Sequence, residues 1–364
     1  MASDLWNLLN DLPAFPADRY ASIADRTARL LGTRNDVVLI QAEAVLALEA
    51  VAASLARPGL QTANIVTSPY GAWFGGWLRR GGASVIDIVA EPARPVEVSA
   101  VAAALEAHPD IRVLSLVHAE SASGILNPLE DILSLARQRG VLTVVDAVAS
   151  IGGHPLDVDA LGIDIAVIGP QKSLAGPAGV SAISVSRKAW EFVARDGAPR
   201  NSVLSLLDQK DWIEESRRAL PGTPSAMEFF ALEAALDRIE AEGLANIIAR
   251  HAQAATASRA GLLALGSEPW TTAGRGSHLV TTVRLPEGAD MDRLLRAAGS
   301  FGAALTAGVG PGAERLVRLN HTGRRARFEI ALANVVAYGM ALRAQGLTAD
   351  IAAASEAIAG CYNR

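Results

Sequence analysis

Residues 142–185, LTVVDAVASIGGHPLDVDALGIDIAVIGPQKSLAGPAGVSAISV, decide the fold. Two β-branched apolar runs stand here, each closely followed by a charge. Leu142-Thr143-Val144-Val145 runs into Asp146. Residues 163–168, apolar but for Asp164, lead through Gly169-Pro170-Gln171 to Lys172. Short apolar runs bounded by Gly and Pro read as buried strands of a parallel sheet. In open α/β sheets, ligands sit at the carboxyl ends of the strands, which places Asp146 and Lys172 together at that rim. A lysine in apolar surroundings can act as an amine nucleophile toward an aldehyde. A buried aspartate can hold the protonated nitrogen of a pyridine ring. A structural ion pair at the strand ends accounts for the spacing equally well.

Working outward, strands and helices alternate. Helical spacing covers residues 18–31, and 37–40 reads as a first strand followed by an Ala/Leu-rich helix to about 56. Strands are expected at 65–67, 85–89 and 113–117, with helices at 71–80, 98–107 and 128–139. This alternation predicts an α/β sheet with helices on both faces. Beyond a helix at 187–195, residues 196–225 are loop-rich, with Gly197, Pro199, Pro221, Gly222 and Pro224. A long helical pattern over 226–265 breaks near Gly243. Short strands (279–284, 303–306, 316–319) then alternate with helices (291–298, 325–343), and a surface helix is expected at 351–364. The division predicted is an N-terminal arm (1–17), a large cofactor-binding domain (18–240) and a small α+β domain (241–364). Trp6, Leu8, Leu9, Leu12 and Phe15 make the arm apolar enough to dock, with a partner subunit as one surface.

Composition excludes several functions. The chain has 364 residues, half of them hydrophobic, and a net charge of −5. No basic field draws it to nucleic acid or an anionic membrane. Cys361 is the sole cysteine, so neither an intramolecular disulfide nor a cysteine metal site is expected. The first twenty residues lack a basic region followed by a long apolar one, so no signal peptide is expected. No apolar run is long enough for a spanning helix. These features suggest a soluble cytoplasmic protein with no metal, nucleic-acid or membrane partner. A nicotinamide dehydrogenase wants G-x-G-x-x-G after the first strand, and residues 41–46 contain no glycine.

The segments DAVASIGG (146–153) and GPQKSLAGPAG (169–179) resemble the class V aminotransferases of the fold-type-I pyridoxal-phosphate superfamily, notably the alanine–glyoxylate and serine–pyruvate enzymes. The likeness runs from about residue 33 to 323. It implies a mainly parallel large-domain sheet, a homodimer, and amino transfer between an amino acid and a 2-oxo acid. It implies that Lys172 bonds the B6 cofactor covalently as a Schiff base and moves the reacting proton. It also implies that Asp146 pairs with the ring nitrogen. Trp73, just after a strand, can stack on a flat ring or pack in the core; the family tryptophan stacks on the cofactor. Ser121 lies in HAESASGILNP (118–128), similar to a family segment whose serine contacts the cofactor. Its hydroxyl can donate, or simply form a turn. His118 reads as a satisfied strand-end histidine. Gln171 resembles the family glutamine beside the lysine, which implies that it contacts the cofactor. Arg318 shares a strand face with Leu316, and its guanidinium can grip a carboxylate with two bonds or form a surface salt bridge; the family motif places a carboxylate-binding arginine there. Thr223 matches a threonine that reaches the neighbouring subunit's cofactor.

The phosphate end departs from this pattern. Where alanine–glyoxylate enzymes carry a Ser-Gly-His turn whose N–H groups hold the phosphate, this chain reads Gln41-Ala42-Glu43-Ala44. At about 5 Å and an effective dielectric of 20, a carboxylate facing phosphate costs roughly 3 kcal/mol per charge pair. Alternatively, Glu43 complements the helix dipole and points away. Residues 37–55, 198–208 and 222–237 are similar to one branch, the pyridoxamine–pyruvate transaminases. There the B6 compound is unphosphorylated and itself a substrate, and a glutamate faces its hydroxymethyl group. Leu220 replaces a tyrosine of the phosphate site. That branch's second arginine is missing from the loop 307–310, and the family's N-terminal Gly-Pro-Gly segment is missing as well. The expected activity is pyridoxamine plus a 2-oxo acid giving pyridoxal plus an amino acid. Alternatives are a pyridoxal-phosphate alanine or serine transaminase using glyoxylate or pyruvate, and a non-catalytic B6-binding regulatory module. A cysteine desulfurase needs a reactive cysteine near the motifs, and Cys361 lies in the tail.

Overall fold

The computed structural model describes residues 12–272, 274–303 and 305–363; most of the expected N-terminal arm, including Trp6, Leu8 and Leu9, lies outside the described residues. A seven-stranded sheet holds β1 (Asp36–Ile40), β2 (Gln61–Val66), β3 (Ser84–Val89), β4 (Ile111–Val117), β5 (Leu142–Asp146), β6 (Ile165–Ile168) and β7 (Ser181–Val185) in the order β1-β7-β6-β5-β4-β2-β3. The five strands from β3 to β6 are parallel, and β7 is antiparallel to both its neighbours. The two runs that opened the sequence are adjacent, with Asp146 opposite Val167. Val117, the last residue of β4, lies opposite Asp146 on the other side. Three strand ends are therefore level where the candidate site forms.

Side-chain alternation along the strands divides the core into two layers. Val37, Leu39 and Val145 face one layer, and Val38, Ile40 and Val144 face the other. The first layer is covered by α1 (Ala17–Leu30), α4 (Val98–Ala107), α5 (Leu129–Gln138) and α9 (Ala226–Glu242). The second is covered by α2 (Ala44–Leu55), α3 (Pro69–Arg80), α7 (Arg187–Val193) and α8 (Leu206–Glu214), while the single-turn α6 (Val158–Leu161) joins β5 to β6. Phe15, expected in the docking arm, is buried in its own chain against Phe229 and Phe230 of α9.

A separate core surrounds a three-stranded antiparallel sheet, β8 (Val280–Arg284), β10 (Leu316–Asn320) and β9 (Thr306–Ala307), together with α10 (Leu244–Leu265), α11 (Met291–Ser300), α12 (Phe328–Arg343) and α13 (Ile351–Tyr362). Helices α9 and α10 part at Gly243, whose φ of +83° favours glycine, as the sequence break predicted.

Three elements differ from expectation. Helix α8 lies inside the loop-rich segment; Ser205 caps it and Leu206, Leu207 and Trp212 are buried, but nine residues give a weak periodic signal. Strand β2 begins at Gln61 rather than 65, because Asn64 satisfies its polar side chain against Ser115, Asp87 and the Gly71 carbonyl. The terminal helix α13 packs firmly rather than riding on the surface: Ala354 and Ile358 are fully buried. A Cβ at Gly261 of α10 would come within 2.6 Å of Ile358, so a glycine permits this close approach. No helix among the described residues is long and apolar enough to cross a membrane.

Candidate active site

Lys172 follows β6 in a loop held from several sides. The Pro170 carbonyl accepts from Gly176 N–H at 2.7 Å, and the Lys172 carbonyl accepts from Ala175 N–H at 3.0 Å. Arg238 of α9 donates to the carbonyls of Leu174 and Ala175. On the far side Gly323 presses on the turn, where a Cβ would lie 2.8 Å from the Lys172 carbonyl oxygen. This bracing fixes where the Lys172 stem leaves the backbone.

Its amine lines a cavity of about 310 Å³ together with Glu43, Tyr70, Trp73, Glu120, Ser121 and Asp146. Lys172 Nζ donates to Ser121 Oγ at 3.1 Å and lies 5.4 Å from the Tyr70 ring centre. Asp146 is buried, and its carboxylate accepts only from Val148 N–H, at 3.0 Å, among the described residues. It forms no salt bridge with Lys172, so the structural ion pair considered above is not made. Burial pushes the Asp146 carboxyl above the usual range, while the Lys172 charge and the Val148 N–H pull it down. A cation placed in the cavity would complete its pairing.

Trp73 is 49% exposed and meets Tyr70 edge-on at 5.4 Å, so it is a wall of the mouth and not core packing. Arg318, on β10, is close enough to Tyr70 for each to perturb the other's ionisation. Its guanidinium is half-buried without a salt bridge among the described residues, its Nε has no hydrogen-bond partner, and burial lowers its pKa. Thr223 does not line the Lys172 cavity. It borders a separate one of about 540 Å³ with Gln41, Leu46 and Val203.

Glu43 does two things at once. One carboxylate oxygen accepts from Val45 N–H at 2.8 Å and caps α2; the other accepts from Gln171 Nε2 at 2.7 Å. It therefore caps the helix and still faces the cavity. The α2 N-terminus, the ready place for a phosphate, is already held by an anion. Gln171 Oε1 is buried without a partner.

Two residues without an assigned role in the sequence belong here. Tyr70, in the first turn of α3, supplies the ring beneath Lys172; Ser68 fixes it by accepting from its N–H at 3.2 Å. Glu120 is fully buried in the cavity wall. Its position inside an apolar strand-end segment next to Ser121 was the available signal. His118 stands away from the cavity, buried, with burial lowering its pKa to about 4 and with Nδ1 unpartnered, so it is less satisfied than expected. No cluster of His, Cys, Asp and Glu among the described residues suits a metal ion.

The lone amine, the buried aspartate and the exposed indole suit a flat cationic ring carrying an aldehyde or amine. The Glu43 cap does not suit a phosphate on that ring.

Residues 14–334 match the class-V aminotransferase family, and the chain belongs to it. Such enzymes use a B6 group bound to a lysine. The chain is 37% identical over 341 residues to pyridoxamine–pyruvate transaminase of Mesorhizobium japonicum, covering 92% of this chain and 85% of that one. It superposes on the crystal structure of pyridoxamine–pyruvate aminotransferase from Mesorhizobium loti with a TM-score of 0.90 at 35% identity, covering 95% and 89% of the two chains. Alanine–glyoxylate aminotransferase from Nostoc gives a TM-score of 0.85 at 26% identity, covering 94% and 92%.

Proposed function

We propose that the protein transfers the amino group of pyridoxamine to a small 2-oxo acid, giving pyridoxal and an amino acid. The observation that carries this reading is Glu43, which occupies the α2 N-terminus and accepts from Gln171. An ionised carboxylate has about four acceptor positions, so it can still accept from a free hydroxymethyl group while repelling a phosphate. The bound B6 ring supplies the electron sink for the pair released when a proton leaves the neighbouring carbon. The remaining work belongs to the protein. Lys172 Nζ takes and returns that proton, with Ser121 Oγ holding it. Asp146 keeps the ring nitrogen charged. Trp73 and Tyr70 fix the plane of the ring, and Gln171 steadies Glu43. Arg318 grips the substrate carboxylate through its free guanidinium edge.

The same reading makes the enzyme a cytoplasmic homodimer, divided near Gly243 into a large and a small domain. Exposed Leu46 and Val203 beside Thr223 support a subunit contact there, with Thr223 serving the partner's site. A pyridoxal-phosphate alanine or serine transaminase remains the second reading, supported by the missing arginine in the loop 307–310. Purified protein is mixed with pyridoxamine and either pyruvate or glyoxylate, and pyridoxal formation is followed. Steady pyridoxal production without added phosphate ester is expected; turnover only when pyridoxal phosphate and an amino acid are supplied would overturn the first reading.

A further inference from the structure

Glu120 is 0% exposed, yet only one of its oxygens is bonded. Thr67 Oγ1 donates to Oε1 at 2.6 Å. That hydroxyl is itself oriented, because Asn127 Nδ2 donates to it at 3.0 Å and so leaves its single proton for Glu120. Asn127 is fixed in turn by the Val117 carbonyl and the Val96 N–H. The chain of bonds dictates that Oε1 accepts, and any proton on this carboxyl therefore resides on Oε2. Oε2 makes no hydrogen bond, and the Ser68 hydroxyl near the carboxylate favours its ionised form without completing it. A buried polar atom left unmatched is costly and is one that a ligand or a proton completes.

We propose, building on the amino-transfer reading, that Glu120 is a positioning residue of the site: its Oε2 gains and loses a proton in the cavity wall and so sets the charge beside Ser121 and Lys172. The groups facing it are Asp146 at the end of β5, Lys172 on its loop and Tyr70 on α3, with Glu43 and Arg318 next to Tyr70. Burial raises its pKa to about 7, with the Asp146 charge adding to the rise and Thr67, Ser68 and Lys172 opposing it. Below that pH the wall is neutral and Lys172 has one anionic neighbour fewer. Above it the wall carries the Glu120 charge beside Lys172, and the balance that favours a cationic ring and a bound 2-oxo acid shifts.

The test is Glu120→Gln, whose amide keeps an acceptor for Thr67 and cannot ionise. The protein is loaded with pyridoxal and its visible absorbance is titrated with pH; kcat/KM is measured over the same range. Wild type is expected to show an inflection near 7 that Glu120→Gln lacks in both curves. Thr67→Val removes the bond that lowers this pKa, so the inflection is expected to move upward by roughly half a unit or more. If Glu120→Gln fails to fold, Thr67→Val alone decides. An inflection retained in Glu120→Gln, or unmoved in Thr67→Val, overturns the proposal. The absorbance titration needs no turnover. A wild type that binds pyridoxal and shows the Glu120-dependent inflection without amino transfer would therefore sink the activity reading and leave Glu120 standing.

Discussion

Two clusters of titratable side chains occupy this molecule and are treated in opposite ways. At the rim of the seven-stranded sheet, Lys172, Asp146, Glu43 and Glu120 surround a cavity with hydrogen-bonding capacity left over. At the seam between the two sheets, histidines are packed and held neutral. His154 Nε2 accepts from His278 N–H at 3.0 Å, and the two rings stack at 4.1 Å. His251 Nε2 accepts from Gly323 N–H at 2.9 Å, while its Nδ1 bonds the Ile247 carbonyl. A nitrogen that accepts from a backbone N–H cannot also carry a proton. Burial lowers His251 to about 4 and His321 to about 3. The rim keeps charge for a ligand to answer; the seam removes charge so that two layers can pack.

The largest expected effect lies at the rim. On the proposed function Lys172→Ala removes both the attachment point and the proton carrier, and kcat should fall by about 10⁴-fold. Stability should change little, since Lys172 Nζ bonds only the Ser121 hydroxyl among the described residues. Steady-state kinetics with a thermal melt checks both halves; retained turnover would break the contrast.

The smaller effect lies at the seam. His251 is about 4 when folded and 6.5 as its ordinary value, so between those limits the unfolded chain binds the extra proton. Stability from this group is full above pH 6.5 and falls as pH drops toward 4, by up to about 1.4 kcal/mol per pH unit. Glu120 acts oppositely: its raised pKa favours the fold below 4.5, and that contribution is lost as pH rises through about 7. His251→Asn should flatten the acid limb of stability while costing some stability at neutral pH. Chemical denaturation from pH 7.5 to 4.5 reads both, and an unchanged slope would show that His251 is not held neutral.

The sequence exposed most of what positions the rim. Asp146 and Lys172 end apolar runs, and such runs are legible because buried parallel strands have no polar face. Ser121, Gln171, Trp73 and Arg318 followed from segments of family likeness; Ser121 bonds Lys172, Gln171 bonds Glu43, and Trp73 and Arg318 both lie beside Tyr70. Glu120 was only partly legible: it stands beside Ser121, but its role depends on Thr67 at the end of β2 and on Asn127 at the far end of its own loop. The seam was not legible either. His154, His251, His278 and His321 are scattered singly over 168 positions, and only tertiary packing brings them together. Helix α8 escaped because nine residues give weak periodicity amid prolines and glycines.

On the proposed function, Glu43 turns a phosphate site into a hydroxymethyl site. The direct measurement is the visible absorbance of wild type and Glu43→Ser, each titrated separately with pyridoxal and pyridoxal phosphate. Wild type should gain the band with pyridoxal at concentrations at least about 10²-fold below those needed for the phosphate ester, the ratio that roughly 3 kcal/mol from a single charge pair gives. Glu43→Ser should erase or invert that ratio. Equal binding of both compounds by wild type, or a ratio that survives Glu43→Ser, would contradict the claim and leave Glu43 as a helix cap alone.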